Sequence, residues 1–225
     1  MKMERQEKRN STKNLMAGII LLAAFVVWTV MIRTVDVQPL GQNGTDIGFA
    51  ALNVWFHQVT GVHMSLYVIT DWLGLVPIFV CMVFGGIGLV QLIKRRSLWK
   101  VDRDIIVLGI YYIIVIICYL VFEMIPINYR PVLINGNLEV SYPSSTTLLV
   151  LCVMPTLIEQ MGRRVKNRTL NGVAQLFSVT FSVFMVIGRL ISGVHWLTDI
   201  VGAVLVSAGL FYIYEAIILW GKCKE

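Results

Sequence analysis

The sequence predicts an all-α fold: an integral-membrane bundle of six transmembrane helices. Three observations carry that expectation. Hydrophobic residues make up 57% of the 225 and charged residues only 14%, where soluble domains carry about 25%; mean hydropathy is +0.75. Six apolar runs occur, most near the ~20 residues that cross ~30 Å of hydrocarbon. Lysine and arginine alternate in abundance from one connecting loop to the next, as in multi-pass proteins. The runs leave no room for a separate soluble core, so residues 1–225 read as a single membrane domain.

The elements follow in order. Residues 1–14 are polar and basic and read as a poorly ordered cytoplasmic tail. The first span covers about 15–32 and is too long, with no small-residue cleavage site after it, for a cleavable signal. A long loop over 34–71 carries turn signals at Pro39, Gly41 and Asn43-Gly44. Within it Ile47, Ala51, Val54, Trp55 and Val59 form a helical apolar stripe. That pattern fits an interfacial helix on the outer leaflet and equally a lid packed on the bundle. His57 and His63 in this loop read as solvated or capping groups. The remaining spans cover about 72–93, 105–122, 147–161, 173–188 and 197–219, within a core of 72–219. Glycines at 85, 86, 88, 202 and 209 lie inside spans, where small residues let helices approach closely.

Charge sets the topology and excludes other classes. The net charge is +6, but 16 of the 19 cations lie in the N-terminus, the second and fourth loops and the C-terminal tail. The other three, Arg33, Arg130 and Arg189, fall one to each remaining loop. This distribution follows the positive-inside rule, with both termini cytoplasmic, and does not suit nucleic acid. Cys81, Cys118 and Cys152 sit in apolar runs and Cys223 in the tail, so they read as small hydrophobes with no disulfide framework. No metal-ligand spacing and no cofactor motif are present. Span centres nearly free of charge argue against a transporter or channel.

The chemistry concentrates in three outer clusters. Gly188 to Asp199, GRLISGVHWLTD, places Arg189, His195 and Asp199 where one apolar helix ends and the next begins. His195 and Asp199 are four apart, one helical turn. A carboxylate beside an imidazole fixes its tautomer and raises its basicity. The second cluster is Asn128-Tyr-Arg-Pro131. The third, Ser141 to Thr147, opens a helix whose free N–H groups suit an anion. Together these read as a phosphoryl-transfer site at a membrane surface.

Here the chain resembles the membrane branch of the type-2 phosphatidic acid phosphatase superfamily, which includes the vanadium haloperoxidases. The family's third motif, Ser-Arg, five residues, His, three residues, Asp, is matched from Arg189 through His195 to Asp199, with Gly188 for the serine. Its first, Lys, six residues, Arg-Pro, is matched at Arg130-Pro131, with Glu123 for the lysine. Its second, Pro-Ser-Gly-His, is matched as Pro143-Ser144-Ser145-Thr146, so threonine stands where the family has its general-acid histidine. No lysine lies between Lys100 and Lys166.

The resemblance implies a hydrolase of lipid phosphates or isoprenoid diphosphates, working without metal or cofactor. It implies that His195 is the nucleophile and forms a phosphohistidine, with Asp199 orienting it. Arg130, Arg189, Ser144, Ser145 and Thr146 would bind the phosphate. Its substrate partner would be a membrane lipid, and its setting a bacterial plasma membrane with the site on the outer face. A missing general acid forgoes about 10²–10⁴-fold. A diphosphate, whose leaving group is phosphate, depends on that acid less. Glu123, Tyr129, Tyr142 or a water are the other proton donors the sequence offers. A second reading is a catalytically weak relative that binds lipid phosphate or serves as a membrane interaction protein.

Overall fold

The computed structural model describes residues 2–222 as eight α-helices joined by loops; Cys223 and Lys224 lie outside the described residues. The helices are α1 Lys2–Thr34, α2 Ala50–Thr60, α3 Met64–Leu73, α4 Leu75–Arg95, α5 Arg103–Met124, α6 Ser145–Arg164, α7 Arg168–Ile191 and α8 Leu197–Lys222. Six segments are long and apolar enough to cross a membrane: α1, α3 with α4, α5, α6, α7 and α8. Large apolar side chains such as Ile20, Phe79, Ile113, Leu176 and Trp220 lie on the outer surface, as expected of helices solvated by lipid. The described residues hold no β-strand longer than an isolated bridge. The protein is a multi-pass membrane protein with an all-helical core.

Two boundaries differ from the sequence expectation. The basic N-terminus is helical, because α1 begins at Lys2. Its Ser11 hydroxyl donates to the Ala216 carbonyl at 2.8 Å, and the Asn14 amide donates to Glu215 at 3.1 Å, so α8 holds the turn at residues 11–14. The second span also starts early, at Met64. The apolar run alone missed this because Asp71 interrupts it, and Asp71 is tolerated there as the partner of Arg189.

α6 and α8 form the centre of the bundle, with Val150, Cys152, Val153, Met154 and Ala203 fully buried. Gly88, Gly202 and Gly209 lie at close approaches, whereas Gly85 and Gly86 face open space. At the basic end, Arg95 pairs with Asp102 at 2.7 Å and Arg164 with Asp104 at 2.8 Å. The opposite end carries α2, α3 and the loops 125–144 and 192–196.

There α2 docks one face and bares another. Ala50 and Asn53 are buried. The Asn53 amide donates to the Gly48 carbonyl at 2.8 Å and to Thr198 Oγ1 at 3.0 Å. Of the predicted stripe, Ile47 is buried, Val54 half-buried, and Ala51, Trp55 and Val59 exposed. His57 is neither solvated nor a cap: it is half-buried, with Nε2 3.1 Å from the Gly193 carbonyl. His63 precedes α3, and its Nε2 lies 2.9 Å from the Thr60 carbonyl.

Candidate active site

Three local structures deliver the site. The loop after α5 folds back as a short hairpin. Its tip, Asn135-Gly136, has positive φ at both residues, and Ile134 and Asn137 exchange backbone hydrogen bonds; Asn-Gly is the favoured pair for such a turn. Arg130 N–H donates to the Glu139 carbonyl and Ser141 N–H to the Asn128 carbonyl. This pairing sets Arg130 beside the chain that enters α6.

The second structure is the turn between α7 and α8. Gly193 holds φ +71°, and a Cβ there would lie 2.1 Å from the Gly61 carbonyl oxygen, so only glycine fits. His195 follows in the turn, not on a helix. Asp199 lies in the first turn of α8 and reaches back to accept the Trp196 N–H at 3.0 Å, in the manner of a capping box. It also accepts from Asn128 Nδ2 at 3.1 Å. The Trp196 indole N–H donates to the Tyr129 carbonyl at 2.8 Å. Asp199 thus fixes the turn that carries His195 and ties it to the hairpin.

His195 is 3% exposed. Its Nδ1 lies 3.1 Å from the Ser141 carbonyl oxygen and 3.7 Å from Asp199 Oδ2. Both neighbours accept, so Nδ1 carries the proton. Nε2 then presents a lone pair, and it is buried without a partner. Burial pulls the imidazole down to about 4, Arg130 and Arg189 push the same way, and Asp199 opposes them. At neutral pH the ring is uncharged.

α3 is the third structure, and it was not read from the sequence as part of the site. Tyr67, Thr70 and Asp71 share one of its faces by their spacing. The Tyr67 ring centroid lies 5.5 Å from the Arg130 guanidinium carbon and 5.0 Å from that of Arg189. Thr70 Oγ1 lies 3.5 Å from Arg189 Nη1, and Asp71 Oδ1 3.3 Å from Arg189 Nη2. Arg189 Nη2 also donates to Thr146 Oγ1 at 2.7 Å. The close fit depends on Gly188, where a Cβ would meet Thr70 Cγ2 at 2.7 Å.

The predicted residues therefore occupy one region in different roles. Arg189 is 1% exposed and Arg130 8%. Arg189 Nε and Arg130 Nη1 have no hydrogen-bond partner, and neither does Ser141 Oγ. Arg130 Nε stands 3.1 Å from Glu139 Oε2 without hydrogen-bond alignment. Unpaired buried donors of this kind are rare in native structures and call for an explanation. Ser144 precedes α6, and its Oγ donates to Thr147 Oγ1 at 3.0 Å without capping a backbone N–H. Ser145 begins α6 and lines a cleft with His195 and Glu123. Tyr142 is turned away, its hydroxyl 2.7 Å from that of Thr29.

Asp71, Ser145 and Thr146 also stand at the mouth of an apolar groove of about 560 Å³ between α4, α5 and α6. Leu75, Ile78, Val115, Ile116 and Leu149 line it.

Residues 112–221, which hold every predicted site residue, match the family model of the PAP2 superfamily. That segment, 110 of the 225 residues, is similar to the PAP2 superfamily. The fold agrees. A crystal structure described as the first transmembrane PAP2-type phosphatidylglycerolphosphate phosphatase from Bacillus subtilis superposes with a TM-score of 0.61. The two share 16% identity over 92% of this chain and 96% of that one. No curated protein matches the chain. Two of the departures from the family motifs, Gly188 and Thr146, meet α3 or its partner Arg189, whereas Glu123 lines the His195 cleft.

Proposed function

We propose that this protein is a membrane lipid phosphatase that acts through a phosphohistidine on His195. One observation carries the reading most. A neutral, buried imidazole presents an unpartnered Nε2 beside the unpaired donors of Arg130 and Arg189. A merely structural histidine satisfies both nitrogens. The groove supports a lipid substrate, because it runs from the anion site into the lipid-facing part of the bundle.

The chemistry follows from the positions. The lipid phosphate binds against Arg189 Nε and Arg130 Nη1, where guanidinium donors suit phosphate oxygens. His195 Nε2 attacks phosphorus in line, and the bond from phosphorus to the lipid oxygen breaks. The Ser141 carbonyl and Asp199 stabilise the charge that grows on the ring. The leaving oxygen takes a proton from water, with Glu123, which lines the His195 cleft, as the acidic side chain placed to relay it. Water then attacks the phosphohistidine, releasing phosphate and restoring the imidazole. The cation distribution supports both termini in the cytoplasm and this end of the bundle outside, and the setting proposed is a bacterial plasma membrane.

Phosphate release by the purified protein tests the reading. Phosphatidic acid and farnesyl diphosphate serve as substrates, with His195→Ala as control. Release should fall by at least 10³-fold in the variant, as for loss of a covalent nucleophile. Equal turnover in the variant would overturn the scheme. Binding of lipid phosphate without release would instead favour a catalytically weak relative, which the hydrogen-bonded Thr146 in the general-acid position makes a specific alternative.

A further inference from the structure

We infer that Asp71 is a specificity-determining residue of this site, one that selects a lipid bearing a single phosphate over a diphosphate. The inference rests on the phosphatase reading and goes past it, since the motifs leave both substrates open.

Two buried guanidiniums face the nucleophile, and each already has a solvent-side carboxylate. Arg189, 1% exposed at its side chain, pairs with Asp71, 56% exposed. Arg130, 9% exposed, pairs with Glu139, 41% exposed. The cradle therefore offers two cations partly offset by two anions, enough for one phosphoryl group.

Position decides the rest. The unpaired guanidinium atoms of the cradle are Arg189 Nε and Arg130 Nε and Nη1, on the two arginines close enough to His195 to act on its charge. The other end of the Arg189 fork, Nη2, is taken by Asp71 and Thr146. Those two residues, with Ser145, form the polar mouth of the apolar groove. Ser145 lines both the His195 cleft and the groove, so a substrate with its phosphorus at His195 and its tail in the groove passes the mouth that Asp71 shares with Ser145 and Thr146. In a diphosphate that passing group is a second phosphoryl, and it would meet a carboxylate. No lysine or arginine lines the groove to compensate. In a monophosphate the passing group is the alcohol portion of the lipid. It is uncharged there, and hydroxyls on it can donate to Asp71.

This reverses the expectation from the leaving group alone. Loss of the general-acid histidine makes a diphosphate chemically easier, but α3 places a negative charge where its second phosphate would bind. At close range in a half-exposed site, one unit charge is worth about tenfold in affinity.

The test is the binding ratio of two soluble anions, orthophosphate and pyrophosphate. It is measured by calorimetry on the full-length protein in detergent micelles and paired with kcat/KM for phosphatidic acid and farnesyl diphosphate. The wild type should prefer orthophosphate. Asp71→Asn should move the ratio about tenfold toward pyrophosphate, and Asp71→Ser should do the same if the asparagine variant folds poorly. Asp71→Glu, which keeps the charge, should stay near the wild-type ratio. An unchanged ratio in the neutral variants overturns the inference. So does an equal shift in Asp71→Glu, or absence of binding by both anions to the wild type. The phosphatase reading fails separately, if hydrolysis is absent or independent of His195 while the anion ratio still follows the charge at position 71.

Discussion

At the scale of the residue, His195 is set by its surroundings more than by its neighbour in the motif. The four-residue spacing to Asp199 suggested a direct pair, but the Nδ1 proton goes to the Ser141 carbonyl and Asp199 stands at 3.7 Å. A backbone acceptor leaves no trace in a motif, so the sequence shows the histidine and the carboxylate but not this partner. The electrostatics give a prediction with a definite sign. Burial first, then Arg130 and Arg189, lower the imidazole to about 4. The reactive neutral form therefore persists down to about pH 4, and kcat/KM should lose its histidine-dependent limb near there and not near 6.5. Removing one cation removes one of the lowering effects. Arg130→Gln should move the limb upward, by up to about one pH unit, alongside a large fall in rate. Substrate phosphate ionises near pH 6 in both enzymes, so the difference between their pH–rate profiles isolates His195. Identical limbs would mean that Arg130 does not act on His195.

Stability has the same sign at this residue. A folded-state value below the unfolded 6.5 means the folded protein resists protonation. Its contribution is complete above pH 6.5 and is lost as pH falls through about 4. The thermal midpoint in detergent should drop over that window, and less steeply in His195→Ala. A pair of parallel curves would show that the histidine is not buried in its neutral form.

At the scale of the element, α3 is what the motifs did not reveal. The spans were legible because hydropathy reports them directly, and the site segments because Arg130, Arg189, His195 and Asp199 stand at family spacing. α3 was hidden because Asp71 breaks the apolar run, and Tyr67 and Thr70 signal nothing alone. The hairpin of 128–141 is legible in principle, since Asn135-Gly136 is a strong turn signal. The contact between α3 and α7 yields a testable coupling. Gly188→Ser restores the family residue, yet its Cβ would sit 2.7 Å from Thr70 Cγ2. Thr70 cannot swing aside freely, because it is fully buried and its hydroxyl donates to the Leu66 and Tyr67 carbonyls. The substitution should cost about 1–3 kcal/mol, as overpacking does, and disturb Arg189 through Asp71. Thr70→Ser removes the clashing methyl and keeps the hydroxyl. The double variant should recover most of the lost thermal stability and phosphate affinity in a double-mutant cycle. Simple additivity of the two changes would show that α3 does not bear on position 188.

At the scale of the whole molecule, the site and the positive charge lie at opposite ends of one bundle. The ion pairs Arg95–Asp102 and Arg164–Asp104 gather at the basic end, and the cations of the site end are Arg33, Arg130 and Arg189. Two of those three are buried in the site, so the loops at the site end present almost no free positive charge, the pattern of loops that cross the membrane. Trp55 and Val59 on α2 stand exposed beside the site, where an apolar helix face suits the lipid interface of the outer leaflet. Orientation is therefore a single prediction about the entire fold. The four cysteines at 81, 118, 152 and 223 are replaced by alanine, and one cysteine is then introduced at Asn135 or at Lys166. Residue 135 is at the exposed hairpin tip of the site end, and 166 lies between α6 and α7 at the basic end. In intact bacterial cells a membrane-impermeant maleimide should label Asn135→Cys and spare Lys166→Cys until the membrane is opened. The reverse pattern would place the site in the cytoplasm. The substrate would then have to be a lipid phosphate of the inner leaflet, approached past Trp55 and Val59 from that side.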